Sequence, residues 1–179
     1  MKRTWKHRVR QLVDLGDCIG VPLNDGTMAL VDHRDRSAVD GWNWSIDGKG
    51  TRIGRVQGGK RVPIASAILG LSRVDHRSRD VRDNRRRNLR PATSAQNARN
   101  RSIGSTNKSG FKGVSLRKDR GTWLAAIGFE GRVLKLGTFA AAEDAARAYD
   151  AAALRLFGEF AVLNFPVDKF PEVERTSPP

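Results

Sequence analysis

The chain has 179 residues, 39% of them hydrophobic, which suits one ordinary domain or two small ones with modest cores. One cysteine, Cys18, and three histidines exclude a disulfide framework and a zinc site of paired Cys or His ligands. No apolar run is long enough to span a membrane and the basic N-terminus does not resemble a secretory signal, so we expect a soluble protein with no membrane partner.

The net charge of +14 is unevenly distributed along the chain. Residues 61–101 carry 11 basic and 3 acidic groups, so more than half of the excess lies in 41 residues. Such density predicts binding to a polyanion, above all double-stranded DNA. The alternative, a merely solvated basic face, is disfavoured because ordinary surfaces intersperse the two signs.

Short strands and turns are predicted for the N-terminal third. Residues 19–23 and 28–31 flank Asn24-Asp25-Gly26, which is typical hairpin chemistry. Trp42 and Trp44 would share one face of an extended segment, as core residues rather than as a platform for base stacking.

Further along, apolar and polar residues alternate over residues 52–62, with Gly58-Gly59 as a turn, and indicate a second hairpin. Residues 64–71 are apolar and predict a short buried helix or strand. Thr93 and Gln96 form a capping-box pattern that would begin a helix at this point.

The last third predicts an antiparallel meander followed by a helix. Residues 111–117, 122–129 and 132–136 are expected to be strands, residues 141–157 have alanines at helical spacing, and Gly158 stands at the helix end.

The fold class we expect is α+β: an N-terminal β region, a beta-beta-alpha unit, then a three-stranded sheet packed on one helix. The predicted divisions are 1–59 for a basic arm and β region, 60–101 for a nuclease domain, 102–107 for a linker, 108–166 for a DNA-binding domain, and 167–179 for a disordered tail.

Four residues suggest a one-metal nuclease centre. Asp75 precedes His76, Asn88 follows the histidine by twelve residues, and Asn97 lies nine further on. Phosphodiester hydrolysis needs an activated water and a cation on the phosphate oxygens. We assign His76 as general base and Asn88 as the residue that orients its ring, with Asp75 and Asn97 holding one Mg²⁺ or Mn²⁺ ion and no organic cofactor.

An earlier copy of the tetrapeptide serves as an internal control. Val31-Asp32-His33-Arg34 repeats residues 74–77, but Ser45 and Gly54 stand at the spacings where the second copy has Asn88 and Asn97. We therefore interpret His33 as a surface or hydrogen-bonded turn residue, and His7 as part of the basic N-terminal arm.

The string VDHRSRDVRDNRRRNLRPATSAQN resembles the HNH homing endonucleases of phages and mobile introns, over roughly residues 60–101. The resemblance implies a beta-beta-alpha fold around one metal ion and roles for Asp75, His76, Asn88 and Asn97 that agree with those above. Ala65 stands where such nucleases commonly have a histidine.

The strings FKGVSLR, LKLGTF, AARAYDAAA and FGEFAVLNF resemble the plant apetala-two/ethylene-response-factor DNA-binding domain and its relatives fused to HNH nucleases, over residues 108–166. The resemblance implies that the sheet contacts DNA, with Arg117 at a contact position. Ser115, Val133 and Lys135 replace the usual Arg, Arg and Trp, so the plant target sequence does not carry over.

The function predicted from these patterns is a homing-type DNA endonuclease in the cytoplasm of a bacterial or phage-infected cell. One alternative is a DNA-binding regulator with a weak or inactive nuclease centre, and another is a packaging protein without sequence preference. The DNA-binding residues predicted are basic side chains of both regions: Arg77, Arg85, Arg86, Arg87, Arg90, Lys112, Arg117, Lys118, Arg132 and Lys135.

Overall fold

The strand and helix patterns produce a mixed α+β fold in the computed structural model, which describes residues 8–100, 103 and 107–166. The chain divides into two compact units, Met1–Ala98 and Arg99–Pro179. The finer divisions predicted from the sequence stay predictions, and His7 and the predicted tail lie outside the described residues. Among the described helices, none combines the length and apolar character needed to cross a bilayer.

The first unit contains three small antiparallel sheets and three short helices in the part that the structure describes. Its strands are β1 (Val13–Asp14), β2 (Ile19–Pro22), β3 (Met28–Val31), β4 (Ser45–Ile46), β5 (Ile53–Gln57), β6 (Lys60–Pro63), β7 (Val74–His76) and β8 (Leu89–Pro91). Its helices are α1 (Arg36–Val39), α2 (Ile64–Leu69) and α3 (Ser94–Arg99), whose last residue begins the second unit. The sheets pair β1-β2-β3, β4-β5-β6 and β7-β8.

Both predicted N-terminal hairpins are confirmed. β2 pairs with β3 across the Asn24-Asp25-Gly26 turn, and β5 pairs with β6 across Gly58-Gly59. The apolar segment that follows is the helix α2, which ends where Gly70 adopts a left-handed conformation (φ 68°). The capping box is also confirmed: Gln96 N donates to Thr93 Oγ1 (3.2 Å) and Thr93 N donates to Gln96 Oε1 (2.7 Å).

The two tryptophans differ in their surroundings. Trp44 is fully buried in the core of the first unit, and its indole Nε1 donates to Val39 O at 2.9 Å. Trp42 is exposed, with the Arg55 guanidinium 3.8 Å from its ring centroid. The prediction of a shared core face is therefore wrong for Trp42, because strand β4 begins only at Ser45 and neither tryptophan lies on it.

The second unit is a three-stranded sheet covered by one long helix. Its elements are β9 (Val114–Arg117), β10 (Thr122–Phe129), β11 (Arg132–Phe139) and α4 (Ala142–Phe157). The strand order is β11-β10-β9, both pairings are antiparallel, and a bulge interrupts the β10–β11 register between Ala125 and Ala126. β11 extends three residues beyond the prediction because the strand continues past this bulge.

Helix α4 lies on the sheet through small residues. The side chains of Ala145, Ala146, Ala152 and Ala153 are buried, and they contact a sheet face that includes Ala125 and Ile127. Alanines lack bulk, so the helix axis can approach the strands closely. Four aromatic residues complete this interior: Tyr149 and Phe160 are buried, while Trp123 and Phe139 pack against the core.

Gly113 marks the closest approach between the segment before β9 and α4. A Cβ atom built on this glycine would lie 2.0 Å from Cδ2 of the Tyr149 ring and 2.8 Å from Ala126 O, and its φ is 75°. Only glycine fits there, which also explains why β9 begins at Val114 and not at Phe111 as predicted.

Gly113→Ala should destabilise the second unit by roughly 3 kcal/mol more than Gly121→Ala in thermal unfolding. Gly121 has a similar φ of 63° with nothing within 4 Å, so its alanine variant reports only the backbone strain, about 1 kcal/mol. Equal losses for the two variants would contradict the close packing of Tyr149 against Gly113.

Burial raises the pKa of the Tyr149 hydroxyl to about 12, and the nearby Asp150 carboxylate adds to this shift. Because the folded state holds the proton more tightly than the unfolded chain, this contribution to stability is complete below pH 10 and is lost as the pH rises toward 12. We expect Tyr149→Phe to remove this alkaline loss, up to about 3 kcal/mol.

Tyr149 is the chain's only tyrosine, so the ultraviolet absorbance of phenolate follows this residue directly. An ordinary titration midpoint near pH 10 in the folded protein would contradict its burial.

Candidate nucleic-acid interface

His76 stands at the end of β7, and Asn84 is the residue that holds its ring. His76 Nε2 lies 3.0 Å from Asn84 Oδ1, while the Asn84 amide donates to Val81 O (2.9 Å) and Arg82 O (3.2 Å). The two donated bonds assign the Asn84 oxygen as an acceptor, so the His76 Nε2 position carries the proton. The sequence assigned this orienting role to Asn88, whereas the hydrogen bond in the structure is made with Asn84.

Asn88 instead closes the loop between β7 and β8. Its Oδ1 accepts a hydrogen bond from Ser78 N at 2.8 Å, and its Nδ2 donates to Asp83 O at 2.7 Å. Both contacts are to backbone groups, so the Asn88 side chain supplies hydrogen bonds that the backbone of an irregular loop does not make with itself.

Asp75 forms a buried ion pair with Arg90. Its Oδ2 accepts from Arg90 Nε at 2.8 Å and from Arg90 Nη2 at 2.7 Å, and both side chains are buried. Side chains alternate along a strand, so Asp75 lies on the opposite face of β7 from Val74 and His76. Asp75 was predicted as a metal ligand and Arg90 as a DNA contact. In the structure they pair with each other inside the first unit.

A cavity of about 480 Å³ in the first unit is lined by both His76 and Asn97 but not by Asp75. Asn97 Oδ1 is buried and has no hydrogen-bond partner among the described residues. Within these residues no group of three His, Cys, Asp or Glu side chains could hold a metal ion. The Mg²⁺ or Mn²⁺ ion predicted between Asp75 and Asn97 stays a prediction.

Two more arginines of the motif are held by carboxylates. Arg85 forms a two-point contact with Asp83 (2.8 and 2.9 Å), and Arg86 forms one with Asp35 (2.7 and 2.8 Å). The Arg85 hydrogen bond is the main reason that the pKa of Asp83 lies below its ordinary value. The Arg86–Asp35 pair joins segments 51 residues apart, whereas Arg85 and Asp83 are neighbours in one loop. Arg87 is exposed.

In the second unit, one face of the sheet is turned away from α4. Ala125 and Ile127 are buried beneath the helix, so the alternate positions of β10 lie on the other side, which we call the outward face. The strand register places these pairs or triplets side by side: Arg117 and Thr122; Ser115, Leu124 and Thr138; Ala126 and Lys135; Gly128 and Val133. Apart from Arg117 and Lys135, this face is uncharged.

More cations lie on the turns around the sheet. Lys118, Arg120 and Arg132 are exposed, whereas Lys112 Nζ donates to Arg99 O at 2.7 Å. Residues 102–139 have 7 basic and 2 acidic groups, while residues 140–179 have 4 and 7. The strands and the helix segment thus carry opposite net charges.

The sequence analysis did not detect the irregularity in β11. Strict alternation along β11 would put Phe139 on the same side as Val133 and Lys135, but the bulge moves Thr138 to the outward face and Phe139 to the core. Gly137, next to this point, is the residue that could have indicated the irregularity.

Comparisons with known proteins identify plant transcription factors as relatives. An ethylene-responsive transcription factor of Arabidopsis thaliana is 42% identical over 69 residues, covering 37% of this chain and 36% of the relative. An AP2-like ethylene-responsive transcription factor of the same plant is 42% identical over 64 residues (35% and 19%). Dehydration-responsive element-binding protein 1B of Oryza sativa is 50% identical over 62 residues (31% and 28%).

The chain spans about a third or less of the length of these relatives, and each match covers about a third of the chain. No family model matches it. The similarity supports the resemblance to the apetala-two/ethylene-response-factor domain that the sequence motifs indicated.

The same comparisons correct the predicted activity. The two Arabidopsis relatives are named as transcription factors and the rice relative as an element-binding protein, and none of the three as a nuclease. The prediction of an HNH homing endonuclease, a phosphodiester hydrolase, is therefore wrong. The comparisons do not test the site roles assigned to His76, Asn88, Asp75 and Asn97, which stay predictions. The expected cytoplasm of a bacterial or phage-infected cell is wrong as well, because these relatives are plant proteins.

The Asp75–Arg90 pair should be needed for folding. Asp75→Asn leaves a buried guanidinium without its counter-charge, so we expect the first unit to lose about 3–5 kcal/mol of unfolding free energy in denaturant titration. Asp40→Asn is the matched control, since its 3.8 Å pair with Arg36 is on the surface and should contribute less than about 1 kcal/mol. Similar stabilities for the two variants would contradict a structural role for Asp75.

Proposed function

We propose that this chain is a sequence-specific double-stranded DNA-binding protein that regulates transcription. The observation that carries the proposal is the outward face of the second unit, a sheet surface with Arg117 and Lys135 on it and further exposed cations at its turns. The similarity to plant transcription factors supports the same function.

The chemistry of the face suits the major groove. The groove is about 12 Å wide and admits strands, and base edges there present a distinct pattern of donors, acceptors and methyl groups for each pair. Small side chains such as Ser115, Ala126 and Gly128 allow a close approach of the backbone. Lys118, Arg120 and Arg132 at the turns would neutralise phosphates and set the position on the duplex.

The opposite side of the unit is suited to face away from DNA. Helix α4 begins with Glu143 and Asp144 in its first turn, and both are exposed. Phosphates would be repelled there, so the charge distribution favours one orientation of the unit on the duplex.

A smaller contribution is expected from the first unit. Among its predicted DNA-binding arginines, the exposed Arg87 is placed to contact phosphates, whereas Arg85, Arg86 and Arg90 make ion pairs within the protein. The first unit should therefore add to affinity more than to sequence preference.

The test is selection of duplexes from a random library by the full chain, followed by affinity measurements at several salt concentrations. Lys135→Ala and Arg117→Ala should each weaken binding, and Lys118→Ala should reduce the slope of log affinity against log salt by about 0.9. Arg155→Ala on the exposed side of α4 is the control and should bind like the original protein.

Binding with no sequence enrichment would support the packaging alternative and contradict a regulator. Equal losses for the sheet variants and for Arg155→Ala would show that the outward face is not the interface.

A further inference from the structure

Val133 is the most exposed large hydrophobic side chain among the described residues, with 73% of its surface accessible. It lies on the outward face of β11 and its partner on β10 is Gly128, which has no side chain to cover it. The valine is therefore presented without an intramolecular neighbour across the strand pair.

The position of Val133 close to Lys135 gives this exposure a meaning for DNA binding. Lys135 is two residues away on the same face, about 7 Å along the strand. An isolated exposed valine is ordinary on a protein surface. Val133, however, shares a strand face with Lys135, so it would contact base edges whenever Lys135 contacts DNA.

The major groove offers such a side chain one favourable partner. Valine has neither donor nor acceptor, and contact with the amino group of cytosine or adenine, or with the carbonyl oxygen of guanine, would desolvate a polar group without a replacement. The 5-methyl group of thymine is apolar and projects into the groove.

We propose that Val133 is a specificity-determining residue that contacts the methyl group of a thymine, and this inference rests on the DNA-binding function proposed above. Base pairs rise by about 3.4 Å, so the 7 Å between the two side chains corresponds to roughly two base-pair steps. The thymine should lie about two pairs from the one nearest Lys135.

The experiment uses the full chain and the best duplex from the random library, with each thymine replaced in turn by uracil. This substitution removes only the methyl group, and loss of one buried methyl should weaken binding about fourfold at one position. In Val133→Ala the same substitution should change affinity by less than about twofold.

Val56→Ala is the matched control, because Val56 is also a strand valine, is 66% exposed and belongs to the first unit. It should show the same uracil penalty as the original protein. Neither substitution touches a phosphate contact, so the salt slope should stay constant in both variants.

The outcomes separate this inference from the proposed function. Failure to bind any duplex overturns both. Specific binding with no uracil penalty at any position, or with a penalty that persists in Val133→Ala, overturns only the role of Val133 and leaves the DNA-binding function standing.

Discussion

The packing of the alanine face of α4 against the sheet is the constraint on which the rest of the second unit depends. Ala145, Ala146, Ala152 and Ala153 are buried, and the Tyr149 ring lies against the backbone of Gly113. A single helix thereby covers one face of all three strands. The other face remains available to solvent, and the proposed function uses that face.

Charge alone overstates how much of the first unit is available to DNA. Its arginine-rich segment is the most basic part of the sequence, yet Arg85, Arg86 and Arg90 each form close pairs with a carboxylate. Arg86 connects to Asp35, 51 residues earlier in the chain, so this pair links distant segments of the fold. A cation held in this way costs more to remove from its partner than an exposed one, and it is a poor choice for binding phosphate.

The sequence predicted most of the elements because local chemistry decides them. Glycine turns defined both N-terminal hairpins, Thr93 and Gln96 defined the start of α3, and alanine spacing defined α4 to within one residue. The contact of Asn84 with His76 could not be predicted, because the geometry of the loop decides which polar side chains reach the ring. The outward position of Thr138 likewise depended on a bulge, which changes the side of every later residue in a strand.

The comparisons overturned the nuclease hypothesis, which rested on residue types and their spacing. Spacing indicated that Asp75, His76, Asn88 and Asn97 could converge, but it did not show that the buried Arg90 lies beside the Asp75 carboxylate. Residue types and distances along the chain do not reveal such pairings. The fold decides which side chains pair with each other.

Lysine footprinting tests the central claim that the outward face of the second unit binds duplex DNA. The full chain is acetylated with and without its selected duplex, and the modification of each lysine is measured by mass spectrometry. The account predicts that Lys118 and Lys135 become protected while the exposed Lys49 and Lys60 of the first unit keep their reactivity. Unchanged reactivity of Lys118 and Lys135 in the presence of bound DNA would contradict it.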